Sequence, residues 1–245
     1  LTDFIIEENR ISGIVINSQH NYSFDSVILA TGHSARDIFY LFYEKKITLQ
    51  SKPFALGVRI EHSQQLIDKI QYHGRLNDDF LPPASYSLVT QVDGKGVFSF
   101  CMCPGGIVAP CATAEGEVVT NGWSPSKRNN PYSNSGIVVS ISKEDLESKE
   151  LNPLICLDFQ KQIEQKAWEL AGKTQKVPAQ RMVDFIEGKK SIDLPNSSYQ
   201  PGLVNVDLNT LFPSFVAKRL KQGLLDFGKK MPGFLTNDAV LHAPE

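Results

Sequence analysis

The feature that most constrains the fold is the order in which strand and helix patterns follow one another. Short strand patterns occupy residues 1–31, strand patterns dominate residues 85–142, and helical spacing returns after residue 142. This order lacks the regular alternation of strand and helix that is typical of a doubly wound parallel sheet. The sequence therefore predicts an α+β fold, in which helices pack on a mixed or antiparallel β-sheet.

Charge and hydropathy exclude two classes of partner. The 245 residues contain 25 Lys and Arg against 27 Asp and Glu, a formal net charge of −2. No global positive field attracts nucleic acid or an anionic membrane surface, and the aliphatic runs are too short to span a bilayer. The four cysteines are too few for a secreted disulfide scaffold of this length. We therefore expect reduced thiols, a cytoplasmic location, and neither nucleic acid nor membrane as a partner.

A first candidate site follows the apolar run at residues 27–30. This run is typical of a strand buried on both faces, and it ends at Thr31 and Gly32. A glycine at this point lets the backbone approach a ligand closely, and the helix predicted from about residue 35 offers free N–H groups to an anion. The alternative is a buried strand that meets an ordinary turn, and the local pattern alone favours that alternative.

A second candidate is the pair Cys101 and Cys103, followed by Pro104, Gly105 and Gly106. On a strand the two thiols would share one face, and the turn after them would expose backbone N–H groups. The pair suits a redox couple, or a nucleophile with its resolving thiol. The spacing is too tight for zinc, so we expect no metal site. Cysteines that simply fill small core positions are the structural alternative.

Two further groups suggest anion binding and proton transfer. Alternation along the strand predicted at residues 54–61 places Arg59 and Glu61 on one face and His62 on the other. Arg59 suits a bidentate contact with a carboxylate, and His62 suits general acid or base chemistry. The alternative is a surface Arg59–Glu61 pair with a partly buried histidine. Arg128 and Asn129, in a polar loop, suit an anionic substrate or simple solvation.

Several blocks of the sequence resemble known flavoproteins. Residues 27–32, after a predicted hairpin and a short strand, resemble the second nucleotide-proximal segment of FAD-dependent oxidoreductases of the glutathione-reductase type. A longer series of blocks is similar to a family of uncharacterised bacterial FAD-dependent dehydrogenases. These blocks run in order along most of the chain, at residues 30–37, 52–62, 100–106, 118–122, 127–129, 232–234 and 238–241.

The resemblance implies FAD as the cofactor and hydride transfer between its isoalloxazine ring and a small-molecule substrate. It implies that residues 1–37 belong to an FAD-binding domain and that residues 38–245 form an inserted substrate or cap domain. It points to catalytic roles for Cys101 and Cys103. The residues expected to bind FAD are Ala30, Thr31, Gly32, His33 and Ser34. The residues expected to bind substrate are Arg59, His62, Gly105, Gly106, Arg128 and Asn129.

The sequence also departs from the family pattern. It contains no G-x-G-x-x-G run, which in the family cradles the FAD pyrophosphate, and the family's C-terminal flavin segment would follow after Glu245. We therefore interpret the chain as the middle of a flavoenzyme, inactive alone and unable to retain FAD without its flanking segments. NADH or NADPH is a further expected partner. The rival hypothesis is a non-catalytic α+β binding module with structural cysteines.

Overall fold

The computed structural model describes residues 1–74, 80–146 and 152–245. The chain divides into two units, Leu1–Gln50 and Ser51–Glu245. Both units combine strands with helices, and most paired strands are antiparallel. The α+β prediction is therefore confirmed.

The first unit is a three-stranded sheet with one helix. Its elements are β1 (Asp3–Glu7), β2 (Arg10–Ile16), β3 (His20–Ser23) and α1 (Arg36–Glu44), and the strand order is β1-β2-β3. The predicted hairpin is confirmed: β1 and β2 pair antiparallel across Glu8 and Asn9, both of which have positive φ. A bulge interrupts the register beside Gly13. A side chain at Gly13 would lie 2.3 Å from a backbone oxygen of β3, so only glycine fits there.

The predicted strand at residues 27–30 is wrong. Residues 26–32 have no regular secondary structure, and the side chain of Ile28 is 93% exposed. A strand buried on both faces needs a neighbouring strand on each side. Within the described residues, no strand pairs with this segment. Its apolar character alone therefore does not produce a strand here.

The second unit is built on a seven-stranded sheet. Its strands in chain order are β4 (Phe54–Ser63), β5 (Val89–Val92), β6 (Lys95–Cys103), β7 (Ile107–Pro110), β8 (Thr120–Trp123), β9 (Tyr132–Ile141), β10 (Val177–Arg181), β11 (Leu203–Asn205) and β12 (Val240–His242). The main sheet has the order β11-β10-β12-β4-β9-β6-β5, and β7 with β8 forms a separate two-stranded sheet. Only β10 and β11 pair in parallel among the described strands of the main sheet.

The helices of this unit complete the hydrophobic core. They are α2 (Gln64–Gln71), α3 (Ile155–Leu170), α4 (Met182–Glu187), α5 (Leu208–Leu211) and α6 (Ser214–Lys230), with a 3₁₀ turn at Lys143–Leu146. Helix α6 buries Val216, Leu220, Leu224 and Phe227, spaced to lie along one stripe, and packs on the sheet. Phe227 is therefore a core residue, and Phe215 is half-buried against the same core. No helix among the described residues combines the length and apolarity that crossing a bilayer requires.

Two predicted segments of this unit are wrong. A helix is predicted over residues 179–186, but helix α4 begins only at Met182, and residues 179–181 belong to strand β10, which has strands β11 and β12 on its two sides. Residues 122–135 are predicted as loop, yet strand β8 continues to Trp123 and strand β9 begins at Tyr132. The partners of β10 and of the start of β9 lie far away in the sequence, so local composition does not reveal these strands, whereas β8 pairs with the nearby β7.

Strand β4 lies in the middle of the sheet and is buried on both faces from Leu56 to His62. Val58, Ile60 and His62 alternate with Arg59 and Glu61. The first set faces the hydrophobic core, whereas the second set faces a buried polar layer. The sheet face that carries Arg59 is called the Arg59 face below.

Candidate functional site

Three segments that are far apart in the sequence meet at the Arg59 face. Gly105 is packed so tightly that an added Cβ would lie 1.9 Å from the carbonyl oxygen of Arg128. The backbone N–H of Asn130 donates to the carbonyl of Gly105, and the Ser124 hydroxyl donates to the carbonyl of Pro104 at 2.9 Å. The segments, together called the Cys101 cluster, are residues 101–106, 122–124 and 128–130.

The glycines of the cluster serve close packing. Gly105 has φ +53°, and its N–H donates to the side chain of Gln64 at 2.7 Å. An added Cβ at Gly106 would lie 2.6 Å from the carbonyl oxygen of Trp123. The expectation that this turn presents exposed N–H groups is wrong for Gly105, whose donor is used internally. The two glycines bring neighbouring backbone segments together instead of leaving room for a ligand.

The two thiols do not share a surface. A bulge in β6 separates the pairs Phe100–Gly136 and Cys103–Asn134, and Cys101 within it has φ +44°. Cys101 is exposed and Cys103 is buried, and both are free thiols. The Cys103 thiol donates to the Cys101 carbonyl at 3.3 Å. The expected alternation is wrong because the bulge breaks the two-residue repeat of the strand. Only Cys101 is open to a reactant.

Arg59 lies beneath the cluster and is fully buried. Its guanidinium donates to the Cys101 carbonyl at 2.7 Å, to Asn134 Oδ1 at 2.9 Å and to Glu245 Oε1 at 2.7 Å. An added Cβ at Gly122 would lie 2.6 Å from Arg59 Nε. In this structure Arg59 is therefore closed to a substrate, and it supports the bulge from below.

The carboxyl group of Glu245 is an unusual partner because it is itself buried. Burial raises its pKa, and the adjacent Arg59 charge and the hydrogen bond from Thr120 oppose that rise. The backbone of Glu245 pairs with Gly57 through two hydrogen bonds of 3.0 Å. This pairing continues the β12–β4 ladder and places the carboxylate under the guanidinium.

Glu61 is buried as well, so the expected surface pair between Arg59 and Glu61 is wrong. Its carboxylate accepts hydrogen bonds from the backbone N–H of Ser198 at 3.0 Å and from the Ser198 hydroxyl. The neighbouring His242 bonds through Nδ1 to the Arg59 carbonyl at 3.0 Å and through Nε2 to the Ser197 hydroxyl at 2.8 Å. These contacts anchor the loop at residues 195–202 to the sheet.

His62 lies on the opposite face of the sheet from the cluster. Its Nε2 is 2.9 Å from the carbonyl oxygen of Phe234, and the two rings are 4.9 Å apart. Burial lowers the pKa of His62 to about 4, although the hydrogen bond to Phe234 opposes the shift. His62 is therefore a neutral core residue here. The structure does not bring it together with the other expected substrate-binding residues.

The outer surface of the cluster combines aromatic, thiol and cationic groups. Phe100 and Trp123 are each 53% exposed, and Cys101, Arg128 and Asn129 are exposed as well. Sequence reasoning assigned no role to Phe100 and Trp123, although Phe100 begins the block at residues 100–106 and Trp123 follows the block at residues 118–122. The signal available was their position next to Cys101 and Gly122. This set of five residues is called the exposed rim below.

The predicted FAD-binding residues belong to the first unit. All five are exposed, and Gly32 has φ +77° with no atom within 4 Å of an added Cβ. The Ser34 hydroxyl is 3.4 Å from His33 Nδ1. The open space at Gly32 suits the close approach of a ligand. The assignment of all five residues to an FAD site stays a prediction.

Comparison with known sequences gives a family. The sequence profile described as "FAD-dependent protein, C-terminal domain-like" matches residues 53–245, which is most of the chain. The chain belongs to this FAD-dependent protein family. The match begins just after the boundary between the two units, so the sheet built on β4 and the Cys101 cluster lie inside the family domain.

The chain is also similar to a protein from Clostridium beijerinckii. It is described as an uncharacterized protein and is 38% identical over 239 residues. The alignment covers 96% of this chain and 44% of the relative, so the chain spans less than half of the relative's length. The two findings support a flavoprotein family, and the particular dehydrogenase family expected from the sequence stays a prediction.

Proposed function

We propose that this chain is the substrate-domain part of an FAD-dependent oxidoreductase and that the exposed rim lines its flavin and substrate site. The observation that carries the proposal is the convergence of three segments at one point. Each contains residues that the family resemblance had marked: Cys101 to Gly106, Gly122, and Arg128 with Asn129. The contacts that join the segments link residues from 17 positions apart, Gly106 with Trp123, to 25 positions apart, Gly105 with Asn130.

The residues of the rim fit part of an FAD molecule. When bound, FAD takes up or releases two electrons with a hydride, so the substrate is oxidised as the flavin is reduced, or the reverse. Exposed aromatic side chains and an adjacent arginine match a planar ring with a polar edge. The pyrophosphate has no glycine-rich cradle in the sequence.

Each part of the cluster has a distinct proposed task. Arg128 and Asn129 bind an anionic or polar part of the substrate, because their side chains are exposed. Cys101 presents its thiol to the reacting groups, and the buried Cys103 helps to fix the bulge. Arg59 is a positioning residue, since its guanidinium holds the Cys101 carbonyl but has no exposed atoms for a ligand.

The experiment uses the full-length protein that contains this chain. Bound flavin is measured by absorbance, and its anaerobic reduction by NADH or NADPH is followed in rapid mixing. We expect Cys101→Ser to slow either reduction or the reoxidation by substrate at least tenfold. The matched control is Cys111→Ser, which replaces another exposed free thiol. We expect the control to leave both rates unchanged.

Two results would reject the proposal. A full-length protein without bound or reducible flavin supports the rival hypothesis of a non-catalytic binding module. Equal rates of flavin reduction and reoxidation in Cys101→Ser and the native protein would show that the Cys101 cluster does not line the reaction site.

A further inference from the structure

The most unusual residue of the exposed rim is Trp123. Large aromatic side chains normally bury most of their surface, yet Trp123 leaves 53% exposed at the end of strand β8. The preceding Gly122 faces the guanidinium of Arg59. Because successive side chains on a strand point to opposite sides, the indole of Trp123 points away from the sheet.

The backbone of Trp123 is held rigidly. Its strand pairs with β7, where Trp123 lies opposite Ile107. Its carbonyl oxygen packs against Gly106, where an added Cβ would lie only 2.6 Å away. Ser124 next to it donates to the carbonyl of Pro104. The exposed indole is therefore attached to a fixed backbone of the Cys101 cluster, and a fixed backbone limits the conformational freedom that is lost when a ring packs on the indole.

We propose that Trp123 is the residue on which the isoalloxazine ring of bound flavin packs, which places that ring beside Cys101. The inference rests on the proposed function and adds the ring and the residue that it contacts. A planar aromatic ligand gains offset-stacking or edge contacts on an indole. Phe100, which precedes Cys101 and is equally exposed, offers a second aromatic surface at the rim.

The second tryptophan of the chain is a matched control. Among the 245 residues only Trp123 and Trp168 are tryptophans. Trp168 is half-buried in helix α3, with Lys173 Nζ 5.8 Å from the centre of its ring. Helix α3 packs on strand β10, which three strands separate from β6 in the sheet. A ring bound beside Cys101 therefore lies much closer to Trp123 than to Trp168.

The test measures tryptophan fluorescence of the full-length protein with and without its flavin. Isoalloxazine absorbs in the range of tryptophan emission and adenine does not, so quenching reports the isoalloxazine ring. Trp123→Phe keeps an aromatic ring at an exposed position, and circular dichroism verifies its fold. We expect Trp123→Phe to remove a strongly quenched emission component and Trp168→Phe to leave that component in place. We also expect Trp123→Ala to weaken flavin binding on the order of tenfold, with Trp123→Phe close to the native affinity.

The outcomes separate this inference from the proposed function. If flavin is bound and reducible but Trp123→Phe changes quenching no more than Trp168→Phe, the contact is wrong while the oxidoreductase proposal stands. If Trp123→Ala binds flavin as tightly as the native protein, the contact is also wrong. If the full-length protein binds no flavin, both proposals fail.

Discussion

Replacing Arg59 by methionine removes the cation that faces the buried carboxyl group of Glu245. Methionine retains much of the apolar volume of the arginine stem but donates no hydrogen bond. The change removes the donor that Arg59 supplies to the carboxylate of Glu245, the side-chain oxygen of Asn134 and the carbonyl of Cys101. Among the described residues, the carboxylate of Glu245 then keeps only the hydrogen bond from Thr120, and the Cys101 carbonyl keeps only that from the Cys103 thiol. The loss therefore affects stability and the shape of the bulge together.

The magnitude follows from burial. The side chains of Arg59 and Glu245 are 0% and 9% exposed, so solvent cannot compensate for the missing partner. Removing one member of a buried ion pair costs about 3–5 kcal/mol, a large fraction of the roughly 5–15 kcal/mol that stabilises a domain. With a urea slope of about 2–3 kcal/mol per molar, a loss of about 4 kcal/mol lowers the unfolding midpoint by about 1.3–2 M.

The pH dependence of the lost unfolding free energy shows whether the unpaired carboxyl group of Glu245 causes the loss. Burial raises the pKa of Glu245, and the charge of Arg59 opposes that rise. Without Arg59 the pKa rises further, so the protonated carboxyl group is favoured in the folded state of the variant. A carboxyl group with a raised pKa destabilises the fold progressively as pH increases through that pKa. The difference in unfolding free energy between native and variant chains is therefore larger at pH 8 than at pH 5.

Urea unfolding of residues 1–245, followed by circular dichroism at both pH values, measures these differences. The double variant Arg59→Met with Glu245→Gln should recover part of the loss, because no charge is then left unpaired. The control Lys218→Met breaks an exposed pair with Asp93 and should change the midpoint little. A midpoint for Arg59→Met within 0.3 M of the native value, a threshold of about 0.6–0.9 kcal/mol, would refute the reasoning.

Three further predictions concern packing, thiols and histidine. Gly105→Ala should destabilise the chain by at least about 2 kcal/mol, because the new Cβ would clash with the backbone of Arg128. Gly94→Ala should cost only about 1 kcal/mol, because its new Cβ would lie within 4 Å of no atom. Thermal unfolding compares the two variants. Alkylation of the folded chain should label the exposed thiols Cys101 and Cys111 rapidly, and the two buried thiols only after unfolding, as peptide mass mapping will show. The lowered pKa of His62 means that its neutral form stabilises the fold fully above pH 6.5 and that this stabilisation decreases by roughly 3 kcal/mol as the pH falls toward 4. His62→Gln should therefore make the unfolding free energy, measured in urea, depend less on pH between 6.5 and 4.

Local chemistry explains what the sequence alone could predict. Asp93 and Gly94 both have positive φ in the structure, as a tight hairpin requires, and strands β5 and β6 pair across them. The apolar stripe of α6 likewise predicts both the helix and the face that it buries. These features depend on neighbours within a few positions. The blocks at residues 100–106, 118–122 and 127–129 are likewise selected from short runs of neighbouring residues.

Contacts between distant residues explain what could not be predicted. Arg59 and Glu245 are 186 positions apart, and no local pattern shows that the carboxylate of Glu245 is buried beneath the arginine. The bulge at Cys101 depends on pairing with strand β9, so the separation of the two thiols is invisible in the residue spacing. The segment at residues 27–30 shows the opposite effect: its pattern is that of a buried strand, but no described strand pairs with it.

The most direct measurement is protection of individual thiols in the full-length protein. FAD is removed and restored, and the alkylation rates of Cys101 and Cys111 are followed by mass spectrometry in both states. If flavin binds beside the exposed rim, restoring FAD slows labelling of Cys101 at least tenfold and leaves Cys111 unchanged, since both thiols are exposed in this chain. Equal labelling of Cys101 with and without bound FAD would contradict the account.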